Sequence, residues 1–177
     1  HLVLEPFSEL LFVPWSIVFT GKDRVLVTER DGNIRVIENG KLRSEPLMKV
    51  AEVTSKGEEG LMGMALDPAY SSNRYIYICY AYTDGNTLKD KIVRLIDNEK
   101  NISFDKDILT NIPAATYHAG CRLKFGPDNK LYATTGDGGD KNLAQDLNSL
   151  AGKILRLNSD GTIPNDNPYP NSYVFSY

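Results

Sequence analysis

Histidine and cysteine are scarce here, with two of each in 177 residues. Two cysteines and one internal histidine cannot build a strong zinc site without help from carboxylates. No apolar run approaches the roughly 20 residues that a helix needs to span a bilayer. No secretory signal peptide is visible, although a mature secreted chain would have lost one. An excess of one charge is also missing: 20 basic residues stand against 23 acidic ones, a net charge of −3. The two signs are interspersed, so neither nucleic acid nor an anionic membrane is an expected partner. Helical periodicity is nearly absent.

What is present reads as one soluble globular unit. The chain is 41% apolar and 24% charged, and its length suits one substantial core rather than two domains. Runs such as "RVLVTE", "NIRVIENG", "RYIYICYAY", "DKIVRLI", "KLYATTG" and "KILRLN" are rich in β-branched and aromatic residues. Each is bounded by Gly, Asp, Asn or Pro, the pattern of strands joined by tight turns. The ten tyrosines agree with this, since aromatics suit half-buried pleated surfaces. The fold class is all-β. Cys79 and Cys121 both fall in expected strands, as two buried thiols or, in a secreted chain, as a disulfide.

Three stretches share one grammar, beginning near Pro14, Gly60 and Ala119. Each has an apolar strand, a polar turn, a second strand, a variable excursion and a third strand. Phe19, Leu66 and Phe125 correspond across the repeats, as do Arg35, Arg94 and Arg156. Sheet units that cannot bury both faces alone must stack on neighbours, which predicts a β-propeller of about three four-stranded blades. Three blades do not close a ring. Residues 1–177 are therefore expected to be the N-terminal part of a single propeller domain, incomplete at the C-terminus, or to pair with a copy as a dimer. The final "NSYVFSY" reads as an apolar strand without a polar tail.

The stretches "VPWSIVF", "RVLVTERDGNIRVI", "GEEGLMGMALDP", "HAGCRLKFGPDNKLYATTGDGGD", "AQDLNSLAGKILRLNSDGTIPNDNPY" and "YVFSY" follow one another across nearly the whole chain. In order and spacing they resemble the N-terminal half of the soluble quinoprotein glucose/sorbosone dehydrogenase family, which includes the aldose sugar dehydrogenases. The resemblance implies a six-bladed propeller that oxidises aldoses with pyrroloquinoline quinone (PQQ) and calcium and passes electrons to an acceptor. It also implies a periplasmic or extracellular location. The calcium ligands and most quinone contacts would lie beyond Tyr177, so residues 1–177 alone would be inactive and hold no metal. Two positions depart from the family pattern: Cys121 stands where Gly is usual, and Glu59 replaces a second glycine beside Glu58.

His118 is the candidate catalytic base. Removing a hydride from a sugar C1 requires a base for the hydroxyl proton, and imidazole suits that task near neutrality. By resemblance His118 aligns with the family's base and touches the cofactor. The residue types alone equally allow a histidine closing a turn at a strand's edge. Asp137, in "TTGDGG", is the natural carboxylate to orient the ring, although Asp and Gly also make ordinary turns. The "DGGDKN" segment lacks the spacing and final Glu of an EF-hand loop, so no metal is assigned to it. Glu58 and Asn142 are candidates to bind sugar hydroxyls. Trp15 reads as a packing anchor, the three arginines as pairing residues, and "NSDGTIPNDNPYP" as a surface loop. The competing function is a non-catalytic propeller that binds a protein or carbohydrate partner. His118 with Asp137 favours the enzyme, because a binding surface needs no base.

Overall fold

A computed structural model describes residues 2–3, 5–8 and 10–177; His1, to which the sequence assigns no role, lies outside them. Three antiparallel sheets follow one another along the chain. The first contains β1 (Pro14–Gly21), β2 (Arg24–Glu29), β3 (Asn33–Glu38), β4 (Lys41–Leu42) and β5 (Met48–Lys49). The second contains β6 (Leu61–Leu66), β7 (Tyr75–Asp84), β8 (Thr87–Asp97) and β9 (Ile102–Pro113). The third contains β10 (Arg122–Phe125), β11 (Leu131–Thr134), β12 (Ile154–Leu157) and β13 (Val174–Ser176). Two short helices, α1 (Tyr70–Asn73) and α2 (Lys141–Gln145), sit in the excursions. No described helix is long and apolar enough to cross a membrane.

The propeller expectation holds, with local differences. The first sheet has five strands rather than four, because β4 and β5 share the outer edge of β3. The sequence pattern did not reveal β9, whose pairing with β8 is interrupted by several register shifts. Bulges of that kind break the strict alternation by which a strand is recognised. Cys121 precedes β10 instead of lying within it, and only Val174–Ser176 of the final apolar segment is strand.

Alternation along β7 shows why the sheets stack. Ile76, Ile78 and Tyr80 point into a core shared with Leu26, Ile34 and Val36 of the first sheet. Tyr77 and Cys79 point the other way, into a core shared with Leu123, Leu131 and Leu155 of the third. Successive strand residues face opposite sides, so a run apolar at every position needs a neighbour on both faces. In β6 the same division separates Leu61 and Met64 from Met62 and Ala65, and a bulge between Leu61 and Met64 resets the alternation.

The strands β1, β6 and β10 lie side by side at the inner end of their sheets. Side chains stitch the first two together. Thr28 Oγ1 donates to the Met62 carbonyl at 2.8 Å, and Ser16 Oγ accepts from Met64 N at 3.2 Å. Residues 16–19, 64–66 and 122–125 line a groove of about 490 Å³ along these strands. Phe19, Leu66 and Phe125 lie towards the ends of the three inner strands and pair with Val25, Ile76 and Leu131 at the start of the next, as the repeat predicts. Arg35, Arg94 and Arg156 occupy the third strands and pair with Glu29, Asp105 and Asp128 respectively. Trp15 is half-buried against the core between the second and third sheets, with the Arg122 guanidinium 4.7 Å above its ring.

Candidate active site

Pro113 ends β9, and the chain runs through residues 114–121 before β10 begins. Within that loop His118 adopts a left-handed backbone with φ of 53°. That conformation is uncommon for a residue with a Cβ, and the neighbouring backbone holds it in place. Gly136 lies so close that a Cβ there would overlap the His118 carbonyl. The Gly between Thr135 and Asp137 therefore serves close approach of two chains as well as a turn.

The approach brings Asp137 to the imidazole. His118 Nδ1 and Asp137 Oδ1 are 2.9 Å apart, and the same oxygen accepts from Gly139 N at 2.8 Å. The Gly139 amide first, and His118 second, hold the Asp137 carboxyl below its usual range. Asp137 is thus an ionised acceptor at neutral pH, which makes Nδ1–H the donor. Neutral His118 then carries its lone pair on Nε2, the nitrogen not engaged by Asp137. The imidazole side chain is 62% exposed. A base with its second nitrogen fixed and its first open to solvent is suited to accept a proton.

Glu58 lies beside this loop. Its backbone N–H donates to the Thr116 carbonyl at 2.9 Å, and its Oε2 accepts from Ala119 N at 3.3 Å. Gly57, with φ of +60°, presses on the Thr116 carbonyl where a Cβ would overlap. Arg30 Nη1 donates to the Gly57 carbonyl at 2.6 Å. Glu58 therefore braces the histidine loop, a role the sequence did not suggest. Asn142 lies in the first turn of α2, where its N–H donates to the capping Asp140 Oδ1 at 3.0 Å. Among the described residues its side chain makes no hydrogen bond to His118, Asp137 or Glu58. The structure brings His118, Asp137 and Glu58 together, and leaves Asn142 at the exposed margin.

Two further features were not legible. Tyr117 meets the imidazole edge-on, with ring centroids 5.3 Å apart, and is 53% exposed. Cys79 and Cys121 form a disulfide, so of the two cysteine readings the bonded one holds, with both residues fully buried. The bond ties β7 to the chain three residues after His118. Only the resemblance marked Cys121 as unusual, and nothing local in the sequence pairs it with a residue 42 positions earlier.

Residues 11–177 match the family described as Glucose / Sorbosone dehydrogenase. The chain is 30% identical over 172 residues to aldose sugar dehydrogenase YliI of Escherichia coli, covering 94% of this chain and 46% of that protein. It is 31% identical over 193 residues to quinoprotein glucose dehydrogenase B of Acinetobacter calcoaceticus, covering 91% of this chain and 40% of that protein. The structure superposes with a TM-score of 0.85 and 35% identity on the PQQ-bound aldose sugar dehydrogenase of Streptomyces coelicolor. That match covers 97% of this chain and 52% of the other. The chain thus spans less than half the length of these curated relatives.

Proposed function

Because the chain belongs to the glucose/sorbosone dehydrogenase family, we propose that it supplies the catalytic base for PQQ-dependent oxidation of the C1 hydroxyl of aldoses to lactones. The observation that carries this reading is the His118–Asp137 pair, with one ring nitrogen held and the other presented to solvent.

His118 fits a place beside a flat polar cofactor, since its exposed ring offers a nitrogen to a molecule seated over this face. PQQ, when bound, supplies the acceptor for the C1 hydrogen and its electron pair. The chain's own residues manage the proton. As the C1–H bond breaks and the C1–O double bond forms, His118 Nε2 takes the hydroxyl proton. Asp137 then stabilises the imidazolium through Nδ1–H. Glu58 holds the loop in register and Asn142 stands at the rim, both offered to sugar hydroxyls. The remaining cofactor contacts and the calcium ligands belong to residues after Tyr177.

On this reading residues 1–177 are half of a six-bladed ring, consistent with the share of the relatives that they span, and are inactive alone. An oxidising compartment, periplasmic or extracellular, suits the Cys79–Cys121 bond. The test is dye-linked oxidation of an aldose by the parent protein with PQQ and calcium. His118→Gln should lower the rate by about 10²–10⁴-fold. An undiminished rate in the variant would remove His118 from the chemistry, and absence of oxidation by the loaded parent protein would leave the binding-module reading in its place.

A further inference from the structure

The Glu59 side chain lies entirely out of solvent. Both of its carboxyl oxygens are buried without a hydrogen-bond partner, and so is Oδ1 of Asp90. Asp90 is 2% exposed and lies in β8 between Ala81 of β7 and Ile112 of β9. The backbone brings them together: Ala81 N donates to the carbonyl of Gly60, next to Glu59, at 3.0 Å, and Ala81 is the cross-strand partner of Asp90.

Among the described residues no base answers them. Lys89 is turned to Asp84 at 2.7 Å, and Lys91 to Glu52 at 2.6 Å and Asp107 at 3.6 Å. Arg30 is engaged by the Gly57 carbonyl. Ala81 and Ile112, the cross-strand neighbours of Asp90, carry no charge, and the Glu58 charge repels Glu59. Two ionised carboxylates in a buried site without donors are strongly unfavourable, and one proton between them removes both problems. Protonated on Glu59, the pair has a donor of its own.

We propose that Glu59 and Asp90 share a proton and form a pH-sensitive clasp beneath the His118 loop, closed when the proton is present and loosened when it leaves. The linkage runs through one peptide: Glu58, next in the chain, holds Thr116 and Ala119 on either side of His118. The clasp itself stands on burial and missing donors. Its effect on activity rests on the function proposed above.

Burial pushes both carboxyls up, Glu59 to about 9 with help from the Asp90 charge, and Asp90 to about 7. Ordinary carboxylates titrate near ~4, so the folded state binds more protons than the unfolded chain from there to about 9. Stability must therefore fall as pH rises through that window.

The experiment compares thermal midpoints of wild type, Glu59→Gln and Asp90→Asn from mildly acidic to alkaline pH, with a chelator and with added calcium or magnesium. The wild-type midpoint should fall with rising pH and ignore the cation, whereas Glu59→Gln should flatten the slope. Alkaline loss of kcat/KM should flatten in the same variant. That second readout alone bears on the function proposed for His118. Infrared spectra of the wild type at neutral pH should show a protonated carboxylic acid band, a measurement that needs no variant. Equal slopes in wild type and Glu59→Gln, or absence of that band, would overturn the clasp. A midpoint set by the cation rather than by pH would also overturn it, since a metal would then hold the pair.

Discussion

Asp137 holds His118 through a carboxylate oxygen that is itself pinned by the Gly139 amide. The orienting group is therefore fixed before any ligand arrives. Asp137→Asn keeps the size of the side chain and presents either an amide N–H or a neutral oxygen to Nδ1. We expect kcat in the parent protein to fall by about 10²-fold or more, with thermal stability nearly unchanged because the site is exposed. Steady-state kinetics beside a melting curve would check this; equal kcat would mean the carboxylate is only a turn residue.

Tyr117 leans on the same ring with over half of its surface free. Tyr117→Phe should retain activity and Tyr117→Ala should raise KM more than it lowers kcat, since the ring offers an apolar face and an edge contact rather than a proton. Kinetics on a single aldose separate the two constants. A loss of kcat equal in both variants would assign the work to the hydroxyl.

The Cys79–Cys121 bond closes a loop of 42 residues in sequence separation. In the chain-entropy description such a crosslink restricts the unfolded state and contributes roughly 4 kcal/mol. Replacing both cysteines with alanine should lower the denaturant midpoint accordingly, without changing which sheets form. Reductant should destabilise the wild type and leave the double variant unmoved.

Asp97 supplies an acid limb. Burial pushes its carboxyl up, but hydrogen bonds from Arg24 (2.5 Å) and Tyr70, with the Glu99 amide, more than offset this and hold it below the ordinary range. Its stabilisation is present above the unfolded value near ~4 and is lost as pH falls below it. Asp97→Asn should cost about 1–3 kcal/mol at neutral pH, because the partly buried Arg24 keeps only Glu38 as a charged partner. The same variant should flatten the acid-unfolding curve below roughly pH 4; a curve parallel to wild type would refute the assignment.

Ile78 is fully buried between the first and second sheets. Ile78→Ala removes its packing and should destabilise by about 2–5 kcal/mol. Urea unfolding measures this, and a cost below 1 kcal/mol would show that the sheets do not share a continuous core (~1 kcal/mol being the ordinary effect of a point substitution).

Much of the architecture could be read before any coordinates. β2, β3, β7, β8, β11 and β12 fall where β-branched and aromatic runs meet turn residues. The equivalence of Phe19, Leu66 and Phe125 marks inner strands because a repeated unit places repeated residues alike. His118 and Asp137 were also legible, as residue types with the right chemistry on two loops. β9 was not, since its bulges erase the period on which pattern reading depends.

Chain order and side-chain chemistry by themselves determined an all-β repeat with one internal histidine and a carboxylate 19 residues apart. Only the folded arrangement decided that Asp137 meets Nδ1, that Cys79 bonds Cys121, that Glu58 braces the histidine loop, and that Glu59 is buried against Asp90. Each of those is a contact between segments far apart in sequence. Such contacts depend on how sheets stack and where loops cross, and local propensity carries no record of either.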